Sequence, residues 1–446
     1  MAFNKDALTQ VMTEKVGPIA EKLGSSGYLQ TISESMMATL PVLIVGSIGT
    51  LLKNFPITQV KEALFAVGLE PVFTAANKFT IGCLALYVVF LMAKNLVRNF
   101  ASERDDGTMA GILALMAFLI VTPLDALADE TVAVPLTWLG SQGMFSAIII
   151  GLLVGRLALL FIQNDWRIKL PESVPPMVTK TFDALLPGAV IGFVAMTVSY
   201  LFDLTSFGSL HQCVYSLLQE PFKGIGGSLG AIIVVSLVQQ VLWFFGIHGT
   251  NVILPLVRPL WVAMDAENLA ALEAGLALPN IGGMAFFDII TWSGTALGLV
   301  LLMLFSKSEQ YRTLAKIDIV PAVFGITEPV VFGTPLVLNF DLAVPFITNN
   351  TICLIISYAL VSLGIVSPCA GTQVIFGIPV GFYALVGGSM SIVILQLFLQ
   401  LVLSPILWFP WFKRLERKTL RRERELAEAQ AAAHAKTGEA TARAGA

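Results

Sequence analysis

Charge is scarce in this chain. Asp, Glu, Lys and Arg make up 13% of its 446 residues, about half the roughly 25% found in soluble domains. That scarcity excludes an ordinary water-soluble protein. Histidine is limited to three residues and cysteine to four. Cys83, Cys213, Cys353 and Cys369 are scattered, without C-x-x-C or metal-ligand spacing, so they read as small apolar residues. No Walker loop, dinucleotide fingerprint or zinc-like cluster is present, which excludes nucleotide binding by a recognisable motif and leaves no metal or cofactor to predict. Any phosphoryl donor must come from elsewhere. The N-terminal stretch, MAFNKDALTQVMTEKVGPIAEKLG, lacks the basic start, apolar run and cleavage site of a secretory signal. The net charge of -3 says little about partners, because the distribution of charge matters more than its sum.

What fills the chain is apolar sequence: 56% of residues are hydrophobic and the mean hydropathy is +0.80. A span needs about 20 apolar residues, so the expected fold is an all-α polytopic membrane protein with about ten transmembrane helices and re-entrant hairpins in its second half. Spans are expected near 31–52, 79–97, 109–121, 144–162, 189–201, 228–245, 289–305 and 342–363, with a last one ending near Trp411. The divisions follow from composition: an interfacial or cytoplasmic helix over 1–30, a first membrane half over 31–205, an amphipathic connection over 206–226, a second membrane half over 227–412, and a basic tail over 413–446. Lys94, Arg98 and Arg104 follow the second span, and Arg156, Arg167, Lys169 and Lys180 flank the fourth. The tail carries Lys413, Arg414, Arg417, Lys418, Arg421, Arg422 and Arg424. The positive-inside rule puts these segments and both termini in the cytoplasm. Lys53 and Lys61, on the opposite side, weaken the pattern without reversing it. The tail cluster also suits anionic lipid, although topology alone explains it.

The stretch Pro321–Pro335, PAVFGITEPVVFGTP, places Glu328 among apolar neighbours and between helix-breaking residues. A carboxylate at membrane depth is costly and usually functional, and broken backbone is tolerated there only beside protein or a water-filled cavity. The alternative is a surface loop that would carry Val323, Phe324, Ile326, Val330, Val331 and Phe332 into water. Phe-Gly-Ile occurs at 245–247, 324–326 and 376–378, which predicts three tight turns at one cavity, the usual mark of a transporter's substrate site. His248, in WFFGIHGTN, has glycines on both sides that let backbone approach a ligand, and Trp243, Phe244 and Phe245 offer aromatic faces to an apolar sugar surface. Its competing reading is a core histidine capping a helix. Asp288 reads equally as the polar start of a helix.

The motifs KLPESVP, WFFGIHG and GITEPVVFGTP, in that order, resemble the membrane-embedded IIC component of the bacterial phosphoenolpyruvate-dependent sugar phosphotransferase system, nearest its lactose, cellobiose and N,N'-diacetylchitobiose branch. The resemblance covers essentially residues 5–415. It implies a homodimer in the bacterial inner membrane whose first half forms much of the dimer contact, and whose second half holds a disaccharide and moves like an elevator. By it His248 and Glu328 contact the sugar near the hydroxyl to be phosphorylated, and separate IIB and IIA proteins deliver the phosphoryl group from a phosphocysteine on IIB. Trp243 and Phe376 are expected to stack on sugar, with Gly246 and Asn251 as further contacts. Thr327 stands where the family often has Asn, and Phe376 where Trp is common. A proton-coupled sugar carrier and a non-transporting sensor or scaffold are the other readings; nucleic acid is not an expected partner.

Overall fold

A computed structural model describes residues 25–53, 58–101, 105–126, 132–168, 182–334, 336–374 and 377–444, with residues 14, 18, 22, 171 and 179. Most of the interfacial helix expected over 1–30 and all of Phe376 lie outside the described residues, and Glu328 is described in its backbone alone.

The described chain is helical apart from a two-residue antiparallel ladder, Asp125–Ala126 with Val132–Ala133. In the first half the helices are α1 (Gly27–Ala38), α2 (Leu40–Lys53), α3 (Thr58–Ala66), α4 (Glu70–Thr80), α5 (Leu84–Ala101), α6 (Thr108–Ile120), α7 (Leu136–Leu139), α8 (Met144–Gln163) and α9 (Leu185–Asp203). The connection forms α10 (Leu210–Val214) and α11 (Glu220–Gly226). There follow α12 (Leu229–Phe244), α13 (Gly249–Glu273), α14 (Met284–Ile290), α15 (Leu297–Leu304), α16 (Glu309–Val323), α17 (Glu328–Gly333), α18 (Ala343–Ser362), α19 (Phe382–Val386), α20 (Met390–Phe398) and α21 (Ser404–Ala444).

Six helical stretches among the described residues are long and apolar enough to cross a membrane: Gly27–Thr50, Glu70–Ala101, Ser141–Gln163, Leu185–Asp203, Ala343–Ser362 and Met390–Glu425. A seventh results if Leu210–Gly226 and Leu229–Phe244, bent by 71° at their junction, form one broken span. Ten crossings would require shorter pieces to contribute. The span expected at 289–305, for example, is divided by a tight turn over Trp292–Thr295.

Packing in the first half depends on small residues and paired polar ones. Gly151 and Gly155, one turn apart on α8, lie so close to α5 that an added Cβ would stand 2.5 Å from Met92 Cβ and 3.0 Å from Ala93 Cα. Such small-residue pairs let membrane helices approach where lipid offers no hydrophobic drive between them. Asn77 donates to Thr50 at 2.5 Å and Asn95 to Ser35 at 3.0 Å, which satisfies amides buried between helices. Two charged pairs link helices: Glu34 with Arg98 at 2.8 Å, and Lys53, which weakened the charge pattern, with Glu273 at 2.5 Å.

The largest departure from expectation is α13. The stretch holding Asp265, Glu267 and Glu273, which by sequence reads as a polar, partly acidic region after the sixth expected span, belongs to one helix of 25 residues, with Pro255 and Pro259 inside it and Asp265 and Asn268 buried. Its polar groups face inward to hold irregular backbone. Asn268 Nδ2 donates to Asn280 O at 2.8 Å and to Cys369 O at 3.0 Å, while its Oδ1 accepts the Asn280 N–H at 2.9 Å. Asn268→Ala removes all three bonds. The expected loss is about 2 to 4 kcal/mol, since buried groups left unpaired lose their full desolvation cost; a thermal melt in nanodiscs that matched the wild type would show that Asn268 is not such a tie.

Candidate functional site

Two of the three Phe-Gly-Ile segments end helices in the same way. At the end of α12, Gly246 has φ +80°, its N–H bonds to Trp243 O at 3.0 Å, and the Ile247 N–H reaches back to Leu242 O at 3.0 Å. At the end of α16, Gly325 has φ +85°, with bonds from Gly325 to Ala322 O at 3.2 Å and from Ile326 to Pro321 O at 2.9 Å. This pair of bonds around a left-handed residue satisfies the last helical carbonyls while turning the chain sharply, and glycine adopts it without a Cβ penalty. In the third segment Gly377 has φ +91°. Backbone bonds join the turns to neighbouring chain: Leu338 N–H to Phe244 O, and Val380 N–H to Val323 O, each at 2.9 Å.

The first two turns flank a cavity of about 380 Å³, within the 300–1,000 Å³ typical of small-molecule sites. The first turn supplies Trp243 and His248 to its wall, the second Gly325 and Thr327, and the approach to the third Gln373 and Val374. The two aromatic rings of the first turn lie 4.2 Å apart between centroids, tilted by 46°. His248 also caps α13, its Nδ1 accepting the Asn251 N–H at 3.3 Å. A neutral ring that accepts at Nδ1 carries its proton on Nε2, so His248 enters the cavity wall as a hydrogen-bond donor. The capping and cavity readings of this residue are both satisfied. Thr250 Oγ1 accepts from the Trp243 indole and from Gln239 Nε2, each at 3.2 Å, which fixes the indole's orientation.

Glu328 opens α17, directly after Thr327 and with Pro329 in the first turn; its side chain lies outside the described atoms. Thr327, its neighbour, lines the cavity. Gly246 and Asn251 are exposed and take backbone parts, the first in the turn and the second in the cap; neither belongs to the cavity wall.

Several wall residues carried no weight in the sequence reading. Trp292 is buried against Tyr383, with ring centroids 4.5 Å apart, and its indole nitrogen has no hydrogen-bond partner among the described residues. Gln239 Oε1 and Asn350 Oδ1 are likewise buried without partners among the described residues. Asp288, set aside from sequence, and Arg258 also line the cavity. Gln373 is held from behind: its Nε2 donates 2.6 Å to Asp265 Oδ2, which also takes the Ala285 N–H at 2.8 Å. Amides within apolar spans, as in VVSLVQQVLWFF and PFITNNTICL, are the signal that could have found Gln239 and Asn350.

Aromatic faces beside unpaired donors and acceptors, enclosed by broken helices of a polytopic chain, define a membrane transporter for a small polar solute. The chain belongs to the EIIC family of the phosphotransferase system: the family model described as "Phosphotransferase system, EIIC" matches residues 33–349. Among curated relatives, the lichenan permease IIC component of Bacillus subtilis is 33% identical over 94% of this chain and 96% of its own length. The cellobiose-specific EIIC component of Geobacillus stearothermophilus is 31% identical over 91% of this chain and 94% of its own. The crystal structure of the transporter ChbC, the IIC component from the N,N'-diacetylchitobiose-specific phosphotransferase system, matches with a TM-score of 0.85 at 32% identity, covering 93% of this chain and 99% of that one.

The two glycine turns respond differently to a methyl group. At Gly325 a Cβ would stand 2.7 Å from the Trp292 indole, whereas at Gly246 its nearest neighbour is Val337 Cγ1 at 3.4 Å. Both alanine variants bear the strain of left-handed backbone, about 1 to 2 kcal/mol. Gly325→Ala is expected to lose at least about 1 kcal/mol more through overpacking. Equal melting points for the two variants would contradict this placement of Trp292.

Proposed function

We propose that this EIIC permease imports a disaccharide of the cellobiose, diacetylchitobiose or lactose type and presents it at the cytoplasmic face for phosphorylation by a phosphocysteine on a separate IIB protein. The observation that carries this reading is the chemistry of the cavity wall. Trp243 offers an aromatic ring to the cavity, while Trp292 Nε1, Gln239 Oε1 and Asn350 Oδ1 have no hydrogen-bond partner among the described residues. Buried polar atoms are normally paired, and the hydroxyls of a sugar, each both donor and acceptor, complement this set. The names of the relatives, covering lichenan, cellobiose and diacetylchitobiose, agree with a β-linked oligosaccharide.

In this reading His248 orients the reacting hydroxyl through Nε2–H and Glu328 accepts its proton. Phe376 completes the stacking, and Gly246 and Asn251 shape the first turn. The first half, 31–205, forms the homodimer contact in the inner membrane and the second, 227–412, carries the sugar across, with both termini cytoplasmic. About ten crossings result if the broken helices of the second half form hairpins.

The test uses inside-out vesicles holding the protein, a phosphorylated IIB of the cellobiose type and a panel of labelled disaccharides. One sugar should be converted to its phosphate. Glu328→Gln should retain sugar binding and lose phosphorylation by about 100-fold or more, the scale of a general base. His248→Ala should weaken binding by about 10-fold or more, the worth of a hydrogen bond and an aromatic contact. Normal phosphorylation by Glu328→Gln would remove Glu328 from the chemistry, and free-sugar uptake driven by a proton gradient would make the protein a carrier instead.

A further inference from the structure

We propose that the exposed face of α21 between Arg414 and Arg424 is the docking surface for the phosphoryl-carrying IIB protein, an inference that rests on the phosphotransferase reading and the cytoplasmic C-terminus above.

The helix separates its charges by side. At about 100° per residue, Glu416, Thr419 and Glu423 fall on one half of its circumference and Arg414, Arg417, Arg421, Arg422 and Arg424 on the other. The first half is engaged with the protein. Glu416 Oε1 accepts from Ser306 Oγ at 2.6 Å and the Lys307 N–H at 2.8 Å, and Glu423 Oε1 accepts from Ser308 Oγ at 2.6 Å. Thr419 meets Tyr311 Oη at 3.1 Å. The other half faces outward: all five arginines are exposed, and among the described residues none of them forms an ion pair. The nearby lysines differ, Lys413 pairing with Glu416 and Lys418 with Asp341. Glu425 is the one carboxylate of the exposed half as far as that residue.

Reach distinguishes a soluble partner from lipid. The apolar helix and its basic extension run as one stretch, Met390–Glu425, so Arg421 to Arg424 stand about 15 to 20 Å beyond Trp411 at 1.5 Å per residue. That exceeds the Debye length of about 8 Å at physiological ionic strength. Anionic headgroups would attract Arg414 and be screened from the distal arginines, whereas a soluble partner can cover the whole face. A phosphoryl group adds negative charge to its carrier, and complementary charge speeds encounter and sets orientation.

The position also links donor to acceptor. The loop held by Glu416 and Glu423 leads directly into α16, whose other end is the Gly325 turn at the cavity. A donor docked on α21 therefore sits on the same structural unit as the sugar.

The experiment is steady-state sugar phosphorylation by the full chain in phosphatidylcholine nanodiscs, with phospho-IIB of the cellobiose type varied. In the triple variant R417E/R421E/R424E the KM for phospho-IIB should rise about tenfold or more while kcat changes by less than about twofold, and the gap should narrow as salt increases. Unchanged sugar affinity identifies a folded variant. If the glutamates unfold the protein, R417A/R421A/R424A carries the test, with a KM increase of about threefold expected. An unchanged KM in the folded variant overturns the proposal. So does loss of binding to anionic vesicles with KM unchanged, which assigns the face to lipid. Wild-type protein that phosphorylates no sugar with any IIB of the cellobiose, lactose or diacetylchitobiose type defeats the phosphotransferase reading itself, and the docking surface with it.

Discussion

Backbone that leaves the helix at membrane depth must find its hydrogen-bond partners inside the protein, and the second half of this chain is organised by that demand. Its polar side chains sit where helices break. Gln396 is an example: its Oε1 accepts the Gly381 N–H at 2.7 Å while its Nε2 donates to Ile289 O at 3.0 Å, so one amide serves two interruptions. Thr295, with φ +53°, has its carbonyl taken by Ser404 Oγ at 2.6 Å and Trp408 Nε1 at 3.1 Å. The breaks are thereby fixed in position. A cavity lined by such turns is shaped before a ligand arrives, which lowers the ordering cost of binding.

Helix α13 plays the corresponding part on a larger scale. Asp265 and Asn268 tie it to the chain around 280–285 and 369–373. Lys223 joins Glu267 at 3.0 Å and Lys53 joins Glu273 at 2.5 Å, so the connection and the first half both meet it. Close approach is part of the design. A Cβ on Gly283 would collide with the Asp265 carboxylate, and one on Gly371 with the Asp265 carbonyl. The buried carboxylate is thus a structural tie that positions Gln373 in the cavity wall.

The polytopic helical class, the two helix-ending glycine turns and the place of His248 beside the cavity were legible in the sequence for clear physical reasons. Apolar run length reports a membrane helix directly, and Phe-Gly-Ile announced turns because glycine is what a left-handed helix end requires. His248 and Glu328 stood out as ionisable groups in apolar surroundings. What escaped depended on partners far along the chain. The region of Asp265, Glu267 and Glu273 read as polar and partly acidic because nothing local reveals that Asp265 and Asn268 are satisfied by residues 280, 285, 369 and 373. Trp292 looked like one aromatic among many until the Gly325 turn and Tyr383 enclosed its ring. Lys53 disturbed the charge pattern because its partner, Glu273, lies 220 residues away.

The cap on His248 also divides the chemical labour of the site. While Nδ1 accepts the Asn251 N–H, the neutral ring has only a donor to offer, and a charged ring would lose the cap's acceptor. Either form can hold a sugar oxygen or a developing negative charge; neither can take the hydroxyl proton without breaking the cap. In the function proposed above, the part of proton acceptor is therefore given to Glu328 and not to His248. Both residues follow Schellman-type turns, His248 two residues after Gly246 and Glu328 three after Gly325, so the same backbone device is repeated in two distant segments. On the proposed function, a hydroxyl held between a fixed donor and a carboxylate would be set up as the nucleophile in phosphoryl transfer, where positioning and electrostatics supply most of the catalysis.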